Sequence, residues 1–234
     1  MRRDHNARRA AGPGCGAAPP LHLPFPPSEI ARLASGYRLD AKERAACAAG
    51  ARIRNGACTR ENLAPILTWK VSDRGRSRPQ RNSDEEVADA LRIALLAATP
   101  RVAVSVLTGL SGVAVPVASA ILAAIRPEHY TVIDPRGLKA LGCGPLQIGA
   151  KASLPLDLYL HYLGFCRDIA LRCGVTLQIL ERALWEWARL SDDGWMPPPR
   201  PAARVPGRRP AAGAIDGVRV PIVPSHQDLP LPAI

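Results

Sequence analysis

The sequence is poor in lysine, contains no CxxC pair and has no continuous apolar segment behind its amino-terminal arginines. Lys42, Lys70, Lys139 and Lys151 are its only lysines, so its positive charge is almost wholly arginine. Of the six cysteines (Cys15, Cys47, Cys58, Cys143, Cys166, Cys173), only Cys166 and Cys173 have the C-x6-C spacing that could open an iron–sulfur signature. The next two ligands of that signature would fall on Thr176 and Arg182, which excludes it. Free thiols in a reducing compartment are the simplest account. Gly and Pro fill residues 12–27, leaving no apolar region for a secretion signal. One uncharged run, Val102–Ile125, has the length of a bilayer span of ~20 residues. It is broken by Thr108-Gly109, Ser111-Gly112 and Pro116, so it reads as helices of a globular domain with no membrane partner.

What is present is charge and helical periodicity. Lys and Arg number 31 against 20 Asp and Glu, a net charge of +11. Part of that excess lies in the Pro/Arg/Ala-rich ends, 1–27 and 196–234, which read as disordered tails around one helical domain at 28–195. A basic balance favours an anionic partner, above all nucleic acid. The twelve residues Lys70–Arg81 hold five cations and one acid. Its Gly and Pro make this a loop, in which Lys70, Arg74, Arg76 and Arg78 are expected to contact backbone phosphates; a solvated charged loop is the plain alternative.

The fold class is all-α. Ser28 and the Asp40-x-x-Glu43 box suggest two short helices. Ser83-Asp-Glu-Glu86 is a full capping box, followed by the stripe Val87, Ala90, Leu91, Ala94, Leu95 and Ala98. Val102–Leu107 reads as a helix, although its β-branched residues also suit a strand. Asp134-Pro135 starts a further helix, with Asp as the cap and Pro in the first turn. Leu156–Arg172 presents Tyr159, Tyr162, Leu163, Cys166, Ile169 and Ala170 on one stripe. Thr176 caps a last helix bearing Leu177, Leu180, Leu184, Trp187 and Ala188.

The chemistry-bearing stretch is Leu110–Asp134. Leu110-Ser-Gly112-Val113-Ala114-x3-Ala118-x3-Leu122 fits a helix-hairpin-helix, in which small turn residues bring a phosphate to main-chain amides. A register beginning at Leu107 would misplace Val115 and Ser119. Gly112, Val113 and Ala114 are therefore the expected phosphate contacts. Ala114 stands where a second Gly is usual, and a left-handed backbone there would cost an alanine roughly 1 kcal/mol.

These residues resemble the helix-hairpin-helix DNA glycosylase superfamily, which includes endonuclease III and the adenine and 8-oxoguanine glycosylases. The close likeness covers about 110–141, with a looser helical match over 83–190. The resemblance implies a catalytic carboxylate at Asp134, twelve residues beyond Leu122. Bifunctional members carry a lysine where this chain has Pro116, so the resemblance points to the monofunctional members, which use Asp and water and no cofactor or metal. Double-stranded DNA is the expected partner, and the cytoplasm, or the nucleoid in a bacterium, the expected location. Trp69, Trp185 and Trp187 could wall a base pocket if they are not simply core residues, and Lys139 lies one turn beyond Asp134. A DNA-binding protein that keeps the hairpin without the chemistry is the alternative, and a helical interaction protein is a third. A base-sized cleft beside Asp134 and the hairpin would favour the enzyme; Asp134 serving only as a helix cap would favour the second reading.

Overall fold

The uncharged run 102–125 becomes two helices and a turn rather than one span. The computed structural model describes residues 20–71, 81–142 and 154–192, among which there are nine α-helices and no strand. A 3-10 turn, Pro27–Glu29, leads into α1 (Ile30–Gly36), α2 (Ala41–Arg54) and α3 (Arg60–Lys70). Then come α4 (Asp84–Leu96), α5 (Pro100–Thr108), α6 (Val115–Ile125) and α7 (Pro135–Ala140). The longest two close the series, α8 (Leu156–Cys173) and α9 (Leu177–Asp192). No described helix is long and apolar enough to cross a membrane. The strand option for Val102–Leu107 loses because Thr99 Oγ1 accepts from Val102 N and Pro100 opens the turn, both of which favour a helix start.

Helix α6 is apolar all round, and such a helix must be covered on every side. Val115 and residues 118–125 are all buried, with α2, α3 and α5 packed against them. The small residues Ala46, Ala49 and Gly50 let α2 approach very closely. A Cβ placed on Gly50 would stand 2.2 Å from Ala124 O. The remaining layers follow the sequence stripes. Helix α4 lies on α5, and α1 and α7 both pack on α9, while α8 touches α5 and α9. Every member of the α8 stripe named above is buried.

Several local expectations need correcting. Ser83 and Glu86 close a complete capping box. At α2 only half of one forms. Asp40 accepts from Glu43 N, but the Glu43 carboxylate takes the Tyr37 hydroxyl at 2.6 Å instead of reaching back. Ser28 caps nothing, because it lies within the 3-10 turn. The amino-terminal tail is also shorter than 1–27. Phe25 is only 4% exposed, Leu21 and Leu23 pack on the core, and His22 N donates to Leu141 O at 3.1 Å. The packed domain thus begins by residue 20. Residues 1–19, 72–80, 143–153 and 193–234 lie outside the described residues, and with them Arg74, Arg76, Arg78, Lys151, Cys15 and Cys143. The four described cysteines are free thiols, and burial pushes the Cys166 thiol up to about 12.

Candidate nucleic-acid interface and carboxylate site

The hairpin turn between α5 and α6 sorts its residues by solvent. Leu110, Val113 and Val115 are buried, whereas Ser111, Gly112 and Ala114 face outward. Gly112 takes φ +80°, a left-handed conformation that glycine adopts at little cost. Ala114 sits at φ −85° and ψ 169°, ordinary extended backbone, so the strain expected there is absent. Val113 is an anchor rather than a surface group, being 4% exposed with its amide donating to Leu110 O at 3.1 Å. The amides of Gly112 and Ala114 have no acceptor among the described residues, and they flank an exposed tip.

Asn82 holds that tip from a distant part of the chain. Its Oδ1 accepts from Ser111 N at 2.7 Å, and its Nδ2 donates to Ser111 O at 3.2 Å. Arg60 Nη2 in turn donates to the Asn82 carbonyl. The basic loop's carboxyl end is therefore fastened to the hairpin. Asn82→Ala removes both bonds to Ser111, and because Ser111 is exposed and water can replace them, the loss should be about 0.5–1.5 kcal/mol. Denaturant unfolding should show that loss, with faster exchange of the Ser111 amide.

The opposite end of the loop reaches a different structure. Lys70 is not a loop residue but the last residue of α3, and it is half-buried. Its Nζ donates to Ile133 O at 3.4 Å. Burial pushes its ammonium pKa down, while the Asp134 and Glu181 carboxylates partly restore it.

Ile133 belongs to a buried non-helical strap, Tyr130–Ile133, that no sheet partners. Its peptide groups must find side chains, since a buried unpaired one is costly. Tyr159 and Tyr162 donate their hydroxyls to the Thr131 and Val132 carbonyls, each at 3.2 Å. Glu181 Oε2 accepts from Val132 N at 3.1 Å and from Thr131 Oγ1 at 2.9 Å. Ser119 Oγ accepts from Ile133 N at 3.1 Å while donating to Pro116 O at 2.9 Å. The first turn of α6 is thus linked to the strap through one hydroxyl, at Pro116.

The strap delivers Asp134. Its Oδ1 caps α7 by accepting from Gly137 N at 2.7 Å, and the residue remains half-buried. The Lys70 ammonium and the Glu181 and Asp134 carboxyl groups influence one another electrostatically around the strap. Burial raises the Glu181 pKa to about 7, against the lowering effect of its two hydrogen bonds and of Lys70.

A cleft lies beside the strap, and its lining includes Trp69, Ala123, Val132, Glu181, Glu43 and Arg182. Its free volume is about 30 Å³, room for roughly one or two waters and far less than a nucleobase. Trp69 lines this cleft. Lys139 is exposed and takes no part in the cleft lining. Trp185 and Trp187 are engaged elsewhere. Trp185 packs edge-on to Tyr37 at 5.1 Å, with the Arg136 guanidinium 4.7 Å from its ring, and Trp187 lies 6.4 Å from Phe25.

Ser119, Tyr159, Tyr162, Thr131, Glu181 and Asn82 were not expected as site residues. A signal for Glu181 exists in the sequence. The spacing Leu177, Glu181, Leu184, Ala188 puts a carboxylate on the apolar stripe of α9, where an unpaired charge would not be tolerated.

The chain matches none of the family models, and neither a curated protein nor a solved structure is significantly similar to it. The described residues form an all-helical fold in which the first turn of α6 is joined by hydrogen bonds to the strap that precedes Asp134.

Proposed function

We propose that this protein binds double-stranded DNA through its hairpin and excises a damaged or mispaired base, using Asp134 and water without a covalent amine. The observation that carries the reading is the hydrogen-bonded path Pro116–Ser119–Ile133, which ties the hairpin helix to the residue preceding Asp134. A duplex phosphate held at the Gly112 and Ala114 amides would then fix the strand relative to the carboxylate. Val113, being buried, supports the turn. Lys70 and Asn82 bracket the basic loop, whose arginines supply further phosphate contacts in this reading. An ionised Asp134 would stabilise the positive charge that develops on the sugar as the glycosidic bond breaks.

The small cleft favours a second reading, a hairpin DNA-binding protein without the chemistry. Neither Asp134 nor the Gly112–Ala114 turn is among the residues that line that cleft. The two readings share one expectation. The logarithm of duplex affinity falls linearly with the logarithm of salt concentration, since phosphate contacts release counterions. They part on base release from lesion-containing duplexes. The enzyme frees a base; the binding protein frees none under conditions where it is bound.

A further inference from the structure

The strap uses only one oxygen of Glu181. Oε2 accepts both hydrogen bonds, from Thr131 Oγ1 and Val132 N, while Oε1 has no partner among the described residues. Glu181 also lines the cleft, whose volume suits water and whose apolar wall is Trp69, Ala123 and Val132. A fixed carboxylate with one oxygen engaged and one available, lining a water-sized cleft and bonded to the strap two residues before Asp134, has the parts of a general base. We infer that Glu181 is the residue that takes a proton from the hydrolytic water, leaving Asp134 to stabilise the sugar. This inference rests on the base-excision reading and assigns the water to a residue that reading did not include.

The step balances as a hydrolysis. A water O–H bond breaks and its proton passes to Glu181 Oε1, while the oxygen forms a bond to the sugar C1′. The C1′–N bond breaks, its electron pair leaves with the base, and the base takes a proton from solvent. Glu181 then returns its proton to solvent. The products are a free base and an abasic sugar.

The environment divides the two carboxylates by role. Burial raises the Glu181 pKa to about 7, whereas Lys70 from α3 and the two strap hydrogen bonds pull it down. Asp134, at the start of α7, pushes it up. Glu43 and Cys47 of α2 and Arg182 of α9 share the cleft. From α8, Tyr159 and Tyr162 donate to the strap carbonyls beside Glu181, and burial holds them and Cys166 protonated. A group titrating near 7 is matched to proton transfer at neutral pH, because it is substantially ionised there and still basic. As a general base it works when ionised, so the rate rises with pH through about 7 and then levels.

The test is single-turnover base release by the full chain across pH 5–9, on a panel of lesion-containing duplexes. Wild type should show the rising limb. Glu181→Gln keeps an oxygen to accept from Thr131 and Val132, so it should fold and bind duplex as wild type does. It should lose the limb and about 10²-fold or more of the plateau rate. Thr131→Val removes one bond that favours the carboxylate and should move the limb to higher pH while keeping the plateau. This second variant serves if Glu181→Gln does not fold. Release that depends on Asp134 but is indifferent to Glu181→Gln, or a limb unmoved by Thr131→Val, overturns the role of Glu181 and leaves base excision standing. No release from any duplex by wild type overturns both.

Discussion

Gly50→Ala should lower the thermal unfolding midpoint by roughly 4–8 °C, an effect large for the addition of one methyl group. The new Cβ would lie 2.2 Å from Ala124 O, 2.5 Å from the Ala124 carbonyl carbon and 2.9 Å from its Cβ. Two of those atoms are backbone of the central helix and cannot rotate away. Helices α2 and α6 must therefore part, and overpacking of this kind costs about 1–3 kcal/mol, occasionally more. Alanine's better helix propensity returns up to about 1 kcal/mol, which does not offset the separation. Gly164→Ala provides the opposite case. It lies in α8 with no atom within 4 Å of a new Cβ. There the propensity gain acts alone, and the midpoint should rise by about 2–4 °C. Calorimetry on both variants checks the pair, and equal shifts would refute the close α2–α6 approach.

Asp134→Asn should reduce base release by at least about 10²-fold while leaving fold and duplex affinity nearly unchanged. Asn caps a helix about as well as Asp, because its side-chain oxygen can still accept from Gly137 N. What disappears is the negative charge, and in the proposed reaction that charge faces the developing cation. Removing a carboxylate cannot weaken attraction to phosphates, so binding should hold or tighten slightly. Asp134→Ala would confuse the issue, since losing the cap costs typically ~1 kcal/mol of stability. The Asn variant separates cap from chemistry. Unchanged release with an intact fold would leave Asp134 as a helix cap and no more.

The helices were legible because their signals are local. Ser83 and Glu86 form their box within four residues, and the stripes of α8 and α9 repeat at helical spacing. The hairpin's ends were less clear: α5 starts at Pro100, and the turn occupies residues 109–114. Ala114 was misjudged because the residue pattern does not specify backbone angles, and the left-handed position falls on Gly112 alone.

The site was half legible. Asp134 and Pro135 announce a helix start, and the cap forms as expected. Nothing local says that Lys70 reaches Ile133, 63 residues away, or that Asn82 reaches Ser111. Both sit at the edges of a basic loop, where composition suggested only solvent and phosphate. The strap itself was foreseeable in outline. Pro127 and the Asp134-Pro135 start leave Tyr130–Ile133 apolar and non-helical, and such a segment must borrow hydrogen bonds from side chains. The tyrosines that supply two of them stood on a stripe read purely as core. A buried tyrosine hydroxyl needs a partner, and here two of them find theirs in main chain.

The most direct test of the account is base release from a panel of damaged and mispaired duplexes, with wild type and Asp134→Asn assayed side by side at saturating protein. The account predicts that wild type frees a base from at least one duplex and that Asp134→Asn binds the same duplex without freeing it. A wild-type protein that binds every duplex and releases nothing, or an Asp134→Asn variant that releases the base at the wild-type rate, would contradict it.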